Sequence, residues 1–159
     1  MRSEKTANDY ATLADVLQEV LSCYSERGLK FDNMCCILAT CPLLKPESIS
    51  EAYNMLVQSD FTTICPMVAY SYPILRSFSI DEKGEMTMNW PEYAKTRSQD
   101  LKPAYHDSGT FYWHKIEPWL EGNRRRGGIV ISEELVQDID TEQDWKIAEM
   151  KYRIINNDL

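Results

Sequence analysis

Asp138 and Asp140 are separated by one residue near the end of a β-like stretch over 129–139. In an extended strand the side-chain period is two, so that spacing aims both carboxylates to the same side. Paired hard oxygen donors suit Mg²⁺, which keeps part of its water shell and completes its coordination with substrate phosphates. The chain holds 25 acidic residues, so a D-x-D pair taken alone fits a solvated strand end or a helix N-cap as well. His106 lies in Tyr105-His106-Asp107-Ser108-Gly109. Its imidazole can move a proton or simply hold a hydrogen bond, and spacing identifies no titrating partner for it. Arg124-Arg125-Arg126-Gly127-Gly128 is the basic, glycine-containing cluster of the chain. On a late loop it reads as a solvated surface turn or an interface contact.

Several elements must position these groups. Leu13, Val16, Leu17, Val20 and Leu21 recur at i, i+3, i+4, i+7 and i+8, which predicts an amphipathic helix over about 10–27, ended by Gly28. Met34 to Ala39 is a short, continuously apolar run expected to be a central strand buried on both faces. Pro46-Glu47-Ser48 opens a second helix, and Phe61 to Tyr70 is the next β-like run, giving a βαβ alternation. Between Tyr72 and Lys95 the pattern changes to short strands around Asp81-Glu82-Lys83-Gly84, a hairpin excursion. Residues 110–113 and 129–139 supply further β-like segments, and Thr141 with Asp144 forms a capping box for a last helix.

With 159 residues the chain suits a single domain, 1–159, large enough for its own core. A formal net charge of -8 argues against nucleic acid or an anionic membrane surface as partner. Five cysteines, odd in number and set mostly in apolar runs, read as reduced thiols. No apolar run approaches the ~20 residues that span a bilayer, and the first residues lack a signal peptide's apolar stretch. The expected location is the cytoplasm.

Arg97-Ser98-Gln99-Asp100, then Tyr105-His106-Asp107-Ser108-Gly109 with Phe111-Tyr112-Trp113, then Asp138-Ile139-Asp140-Thr141 with Asp144-Trp145 follow one another along the chain. This series resembles the acylneuraminate cytidylyltransferase family, most closely its pseudaminic acid branch, and the resemblance runs along essentially the whole chain. It implies an α/β, Rossmann-like nucleotide-diphospho-sugar transferase fold with a mixed, mostly parallel sheet. It also implies transfer of CMP from CTP to an acidic nine-carbon sugar, Mg²⁺ carried by the catalytic pair Asp138 and Asp140, and a homodimer crossing the 72–95 excursion. The sugar's carboxylate and hydroxyls would meet Arg97, Gln99 and Tyr112. Cytosine and ribose would meet Arg2 and Thr12, with Asp9 shaping that turn. Read as residues alone, Arg97 is equally a surface cation paired with Asp100 or Asp107, and Tyr112 a core aromatic.

Two departures from the family pattern bear on function. Leu38 stands where the sialic acid branch carries a glutamine; it cannot hydrogen-bond a sugar hydroxyl, which favours pseudaminic acid, with its more apolar terminus, over sialic acid, and transfer to sialic, legionaminic or an eight-carbon ulosonic acid is the alternative. The family also opens with a strand and a basic, Gly-rich loop that holds the triphosphate, and residues 1–30 match neither. The expectation is therefore an N-terminally truncated cytidylyltransferase whose product feeds surface or flagellar glycosylation. The rival is a catalytically incomplete remnant that dimerises or binds a sugar acid.

Overall fold

A computed structural model describes residues 2–157. Thr12 ends the N-terminal segment by capping helix α1 (Leu13–Glu26): its hydroxyl accepts from the Asp15 amide, and the Asp15 carboxylate accepts from the Thr12 amide. The helix stops where Gly28 takes φ 75°, a conformation open to glycine at little cost. Strand β1 (Asn33–Ile37) leads through Cys41, Pro42 and Leu43 to helix α2 (Pro46–Gln58), with Pro46 in its first turn. Strand β2 (Thr63–Ala69) follows. The excursion forms a hairpin of β3 (Phe78–Ile80) and β4 (Met86–Met88), whose turn is held by the Asp81 carboxylate accepting from the Lys83 and Glu85 amides at 2.9 and 2.8 Å.

The chain then returns along the main sheet as β5 (Tyr105–Asp107) and β6 (Phe111–Lys115), turns through the short helix α3 (Ile116–Leu120), and enters β7 (Arg126–Val130). Helix α4 (Glu142–Asn156) closes the described chain behind the Thr141–Asp144 capping box. Among the described residues no helix is long and apolar enough to cross a membrane.

The sheet is α/β in its layering, but its pairing differs from the mostly parallel arrangement expected. β1 with β6, β6 with β2, and β5 with β2 are antiparallel, and β2 with β7 is parallel. β5 and β6 run along one edge of β2, interrupted at 108–110, and β7 runs along the other edge. The returning strand thus inserts between β1 and β2, which keep a common direction without touching. β1 consequently ends at an edge of the described sheet rather than at its centre: its residues are half-buried and Ile37 is 52% exposed. An apolar run reports that a strand wants burial, not which strands flank it.

Phe111, Ile64, Leu56, Ala52 and Ile129 form the buried core between α2 and the sheet. Trp113 extends that face, its indole N–H donating to the Ile49 carbonyl at 3.1 Å and its ring 4.9 Å from Tyr53. The alternate residues of β6, Tyr112 and His114, point to the opposite face, beneath α1. The Arg124–Gly128 run is largely strand rather than surface turn. β7 begins at Arg126, Arg125 pairs with Asp60 at 3.3 Å, and Arg124 donates to the Trp119 carbonyl at 2.9 Å. All five cysteines are free thiols, and Cys35 is pushed up to about 11 by burial and by neighbouring Cys36.

Candidate active site

The loop carrying Asp138 and Asp140 contains no strand. A single 3₁₀ turn at Glu133–Leu135 follows β7, and irregular backbone continues to Thr141. Alternation along a strand therefore does not set the direction of the two carboxylates. Tertiary bonds hold the loop instead. Lys151 on α4 donates through Nζ to the carbonyls of Val136 at 2.6 Å and Glu133 at 3.2 Å. At the other end, the Asp144 carboxylate accepts from the Asp140 and Thr141 amides and from the Thr141 hydroxyl. These bonds, the Thr141 hydroxyl foremost, hold the Asp144 carboxyl below the usual carboxylate range.

So held, Asp138 faces the Tyr105–Gly109 motif. Val68, His106, Ser108, Gly109, Gln137 and Asp138 line a cleft of about 390 Å³, shared with Asp107 and Lys151. A Cβ added at Gly109, whose φ is 64°, would stand 3.8 Å from Asp138 Oδ2. The Asp107 carboxylate accepts from the Gly109 amide at 2.9 Å and so fixes that turn. His106 donates from Nδ1 to the Asp107 carbonyl at 2.9 Å, and its ring packs 5.0 Å from Tyr70. That tautomer leaves Nε2 as its acceptor nitrogen.

Tyr112 lies elsewhere. It lines a second cleft of about 180 Å³ with Cys65, His114, Trp119, Arg126 and Leu13. Burial first, then the negative charge of Asp107, pushes the Tyr112 phenol well above its ordinary value. Asp107 is common to both clefts and is the structural link between them.

Arg97 and Gln99 are exposed and line neither cleft. Arg97 engages Asp100 through Nε and Nη2 at 2.7 and 3.2 Å, and Gln99 sits on the 3₁₀ turn Ser98–Asp100. The surface-pair alternative for Arg97 is the arrangement formed. Thr12 spends its hydroxyl on the α1 cap, and Arg2 and Asp9 are exposed. Leu38 is half-buried, its amide donating to the Thr110 carbonyl at 2.9 Å. The resemblance implied a substrate-facing stretch from Gly109 to Tyr112 but no turn role for Gly109, and gave Lys151 no role. The Asp107-x-Gly109 spacing carries a turn signal that points to the first, whereas nothing local marks the second.

Asp138 and Asp140 have the donor chemistry a hard cation needs. Among the described residues, neither carboxylate accepts a hydrogen bond or pairs with a cation, and no three His, Cys, Asp or Glu side chains gather into a protein-only ligand set. Two free carboxylates, with remaining positions left to water and phosphate, match the preference of Mg²⁺.

No family model matches the chain. Pseudaminic acid cytidylyltransferase of Campylobacter jejuni is 32% identical over 158 residues, spanning 97% of this chain and 68% of that protein. The chain belongs to the acylneuraminate cytidylyltransferase family. N-acylneuraminate cytidylyltransferase B of Danio rerio is 25% identical over 154 residues, 94% of this chain and 36% of that protein. Among solved structures, CMP:2-keto-3-deoxy-manno-octonic acid synthetase, complexed with CTP, superposes with a TM-score of 0.57 at 9% identity, covering 97% of this chain and 72% of that one. That likeness shows that the two chains share a fold. As a member of this family the chain is a nucleotidyltransferase by class, and its Asp138 shares a cleft with the Tyr105–Gly109 motif.

Proposed function

We propose that the protein transfers CMP from CTP to an acidic nonulosonic sugar, with pseudaminic acid preferred. The observation that carries this reading is the packing of Asp138 against the Gly109 turn, which joins two motifs 29 positions apart in one cleft. In the reaction the sugar's anomeric oxygen attacks the α-phosphorus of CTP, the bond to the β-phosphate bridging oxygen breaks, and pyrophosphate leaves. Asp138 and Asp140 would hold Mg²⁺, which when bound supplies charge neutralisation to the phosphates. His106 Nε2, left as acceptor by the Nδ1 bond, is the group that takes the hydroxyl proton. Tyr112, on the other side of Asp107, contributes to the sugar side, and Leu38 supports the apolar preference. Arg97 and Gln99 reach the sugar only by giving up their surface positions.

The hairpin supports a homodimer. Phe78, Ile80 and Met86 stand 54%, 67% and 66% exposed on one face of an isolated two-stranded ribbon. Such a ribbon is marginally stable in water, so a second copy covering that face supplies its missing packing. A role for the product in surface or flagellar glycosylation, in the cytoplasm, completes the proposal.

A second reading has its own observation. Apart from His106, Lys151 is the one basic side chain lining the Asp138 cleft among the described residues, and it is already bonded to two carbonyls. A triphosphate would find little neutralisation there, which favours a catalytically incomplete form that still dimerises or binds a sugar acid. Pyrophosphate release from CTP, Mg²⁺ and pseudaminic acid, with sialic acid in parallel and Asp140→Ala as control, decides between them. Release that depends on Asp140 supports the enzyme, and a folded protein without release supports the incomplete form.

A further inference from the structure

Asp107 carries no role in the chemistry proposed above, yet it is the residue that both clefts share. Its side chain leaves β5 on the face opposite His106, because Asp107 pairs with Met67 and His106 with Val68 in an antiparallel register. From there the carboxylate reaches forward to the Gly109 amide at 2.9 Å and closes a turn around Ser108. Ser108 is itself fixed, its hydroxyl sharing a 2.8 Å hydrogen bond with Thr110 and its amide donating to the Pro66 carbonyl at 3.1 Å. Gly109 is thereby held at φ 64°, and the Asp138 carboxylate packs on the open side of its Cα. Lys151 and Asp144 restrain the Asp138 loop from its own side. The Asp107 turn is the restraint from across the cleft.

We propose that Asp107 is a positioning residue: through its bond to the Gly109 amide it sets the place of the Asp138 carboxylate, and hence the strength of cation binding. The role belongs to the acceptor oxygen and not to the charge, which gives a distinctive signature. Asn at 107 keeps an acceptor oxygen in the same place, and Ala does not. The inference rests on the reading of Asp138 and Asp140 as cation ligands. Outer partners of metal ligands commonly control affinity by about 10–100-fold.

The test is Mn²⁺ binding to the full chain, followed by electron paramagnetic resonance of the free ion, with thermal unfolding of each variant alongside. Asp107→Ala is expected to weaken binding about tenfold and Asp107→Asn to stay within about twofold of the unmodified protein. Equal affinity in Asp107→Ala and the unmodified protein overturns the inference alone, and so does an equal loss in Asp107→Asn and Asp107→Ala, which would assign the effect to charge. If Asp107→Ala fails to fold, Gly109→Ala replaces it. There a methyl in a left-handed conformation disturbs the same turn, and unchanged affinity overturns the inference equally. An unmodified protein that binds no Mn²⁺ overturns the cation reading and this inference with it.

Discussion

His114 and Thr63 face each other across the β2–β6 pair, with the His114 Nδ1 atom 2.9 Å from the Thr63 hydroxyl in a fully buried hydrogen bond. Trp119 closes over the imidazole at 5.2 Å between ring centroids. Burial, helped by the nearby Arg126 and Arg124 guanidiniums, lowers the His114 pKa to about 4 from 6.5. The imidazole is therefore held uncharged in the folded protein, and that has a consequence for acid stability.

As pH falls, the unfolded chain protonates His114 near 6.5 while the folded chain does so only near 4. Stability is thus fully present above 6.5, declines across that window, and is lost as pH passes about 4. The expected loss is up to roughly 3 kcal/mol. Urea midpoints measured at intervals through the window check this, and His114→Gln should flatten the dependence. An unchanged slope in that variant would assign the acid sensitivity elsewhere.

Gly127 in β7 has no room for a side chain. A Cβ there would stand 2.6 Å from the Phe61 ring and 2.7 Å from Ile64 Cδ1. Ile64 is fully buried, so the methyl cannot swing clear without disturbing the core. Gly127→Ala should cost about 1–3 kcal/mol, read as a lower denaturant midpoint at constant slope.

Replacing Ile80 with Asp puts a charge in the middle of the hairpin's apolar face, beside its partner Met86. If that face joins two copies, Ile80→Asp sediments as a monomer at concentrations where the unmodified protein is a dimer. A dimer that persists would move the interface elsewhere.

Thr141→Ala removes the hydroxyl from the capping box of α4 and two of the bonds around Asp144. The thermal midpoint should fall by about 3 °C. Because the same box anchors Asp140, the Mg²⁺ concentration giving half-maximal pyrophosphate release should rise, with kcat at saturating Mg²⁺ little changed. Chelation of divalent cations should abolish release in both forms.

Local chemistry made several parts of the molecule legible before any tertiary arrangement was known. The apolar spacing of α1 and its stop at Gly28, the proline start of α2, the Asp81 turn of the hairpin and the Thr141–Asp144 box are written within a few residues of chain. Caps and turns close hydrogen bonds between near neighbours, so their signals survive in one dimension. The motif series also carried the family. Strand neighbours were another matter. β1 was expected at the centre and lies at an edge of the described sheet, Arg126 was expected in a turn and begins a strand, and Asp138 was expected at a strand end and sits in a loop tied down by Lys151. Each of these is settled by contacts between residues far apart in the chain, where pairing geometry and burial choose among partners that local propensity treats as equal. The meeting of Asp107, Gly109 and Asp138 is of that kind. Residue types announced a site in this chain, and only the pairing of β5 with β2, with the Asp138 loop folded across the turn that follows β5, decided which of those residues share a cleft.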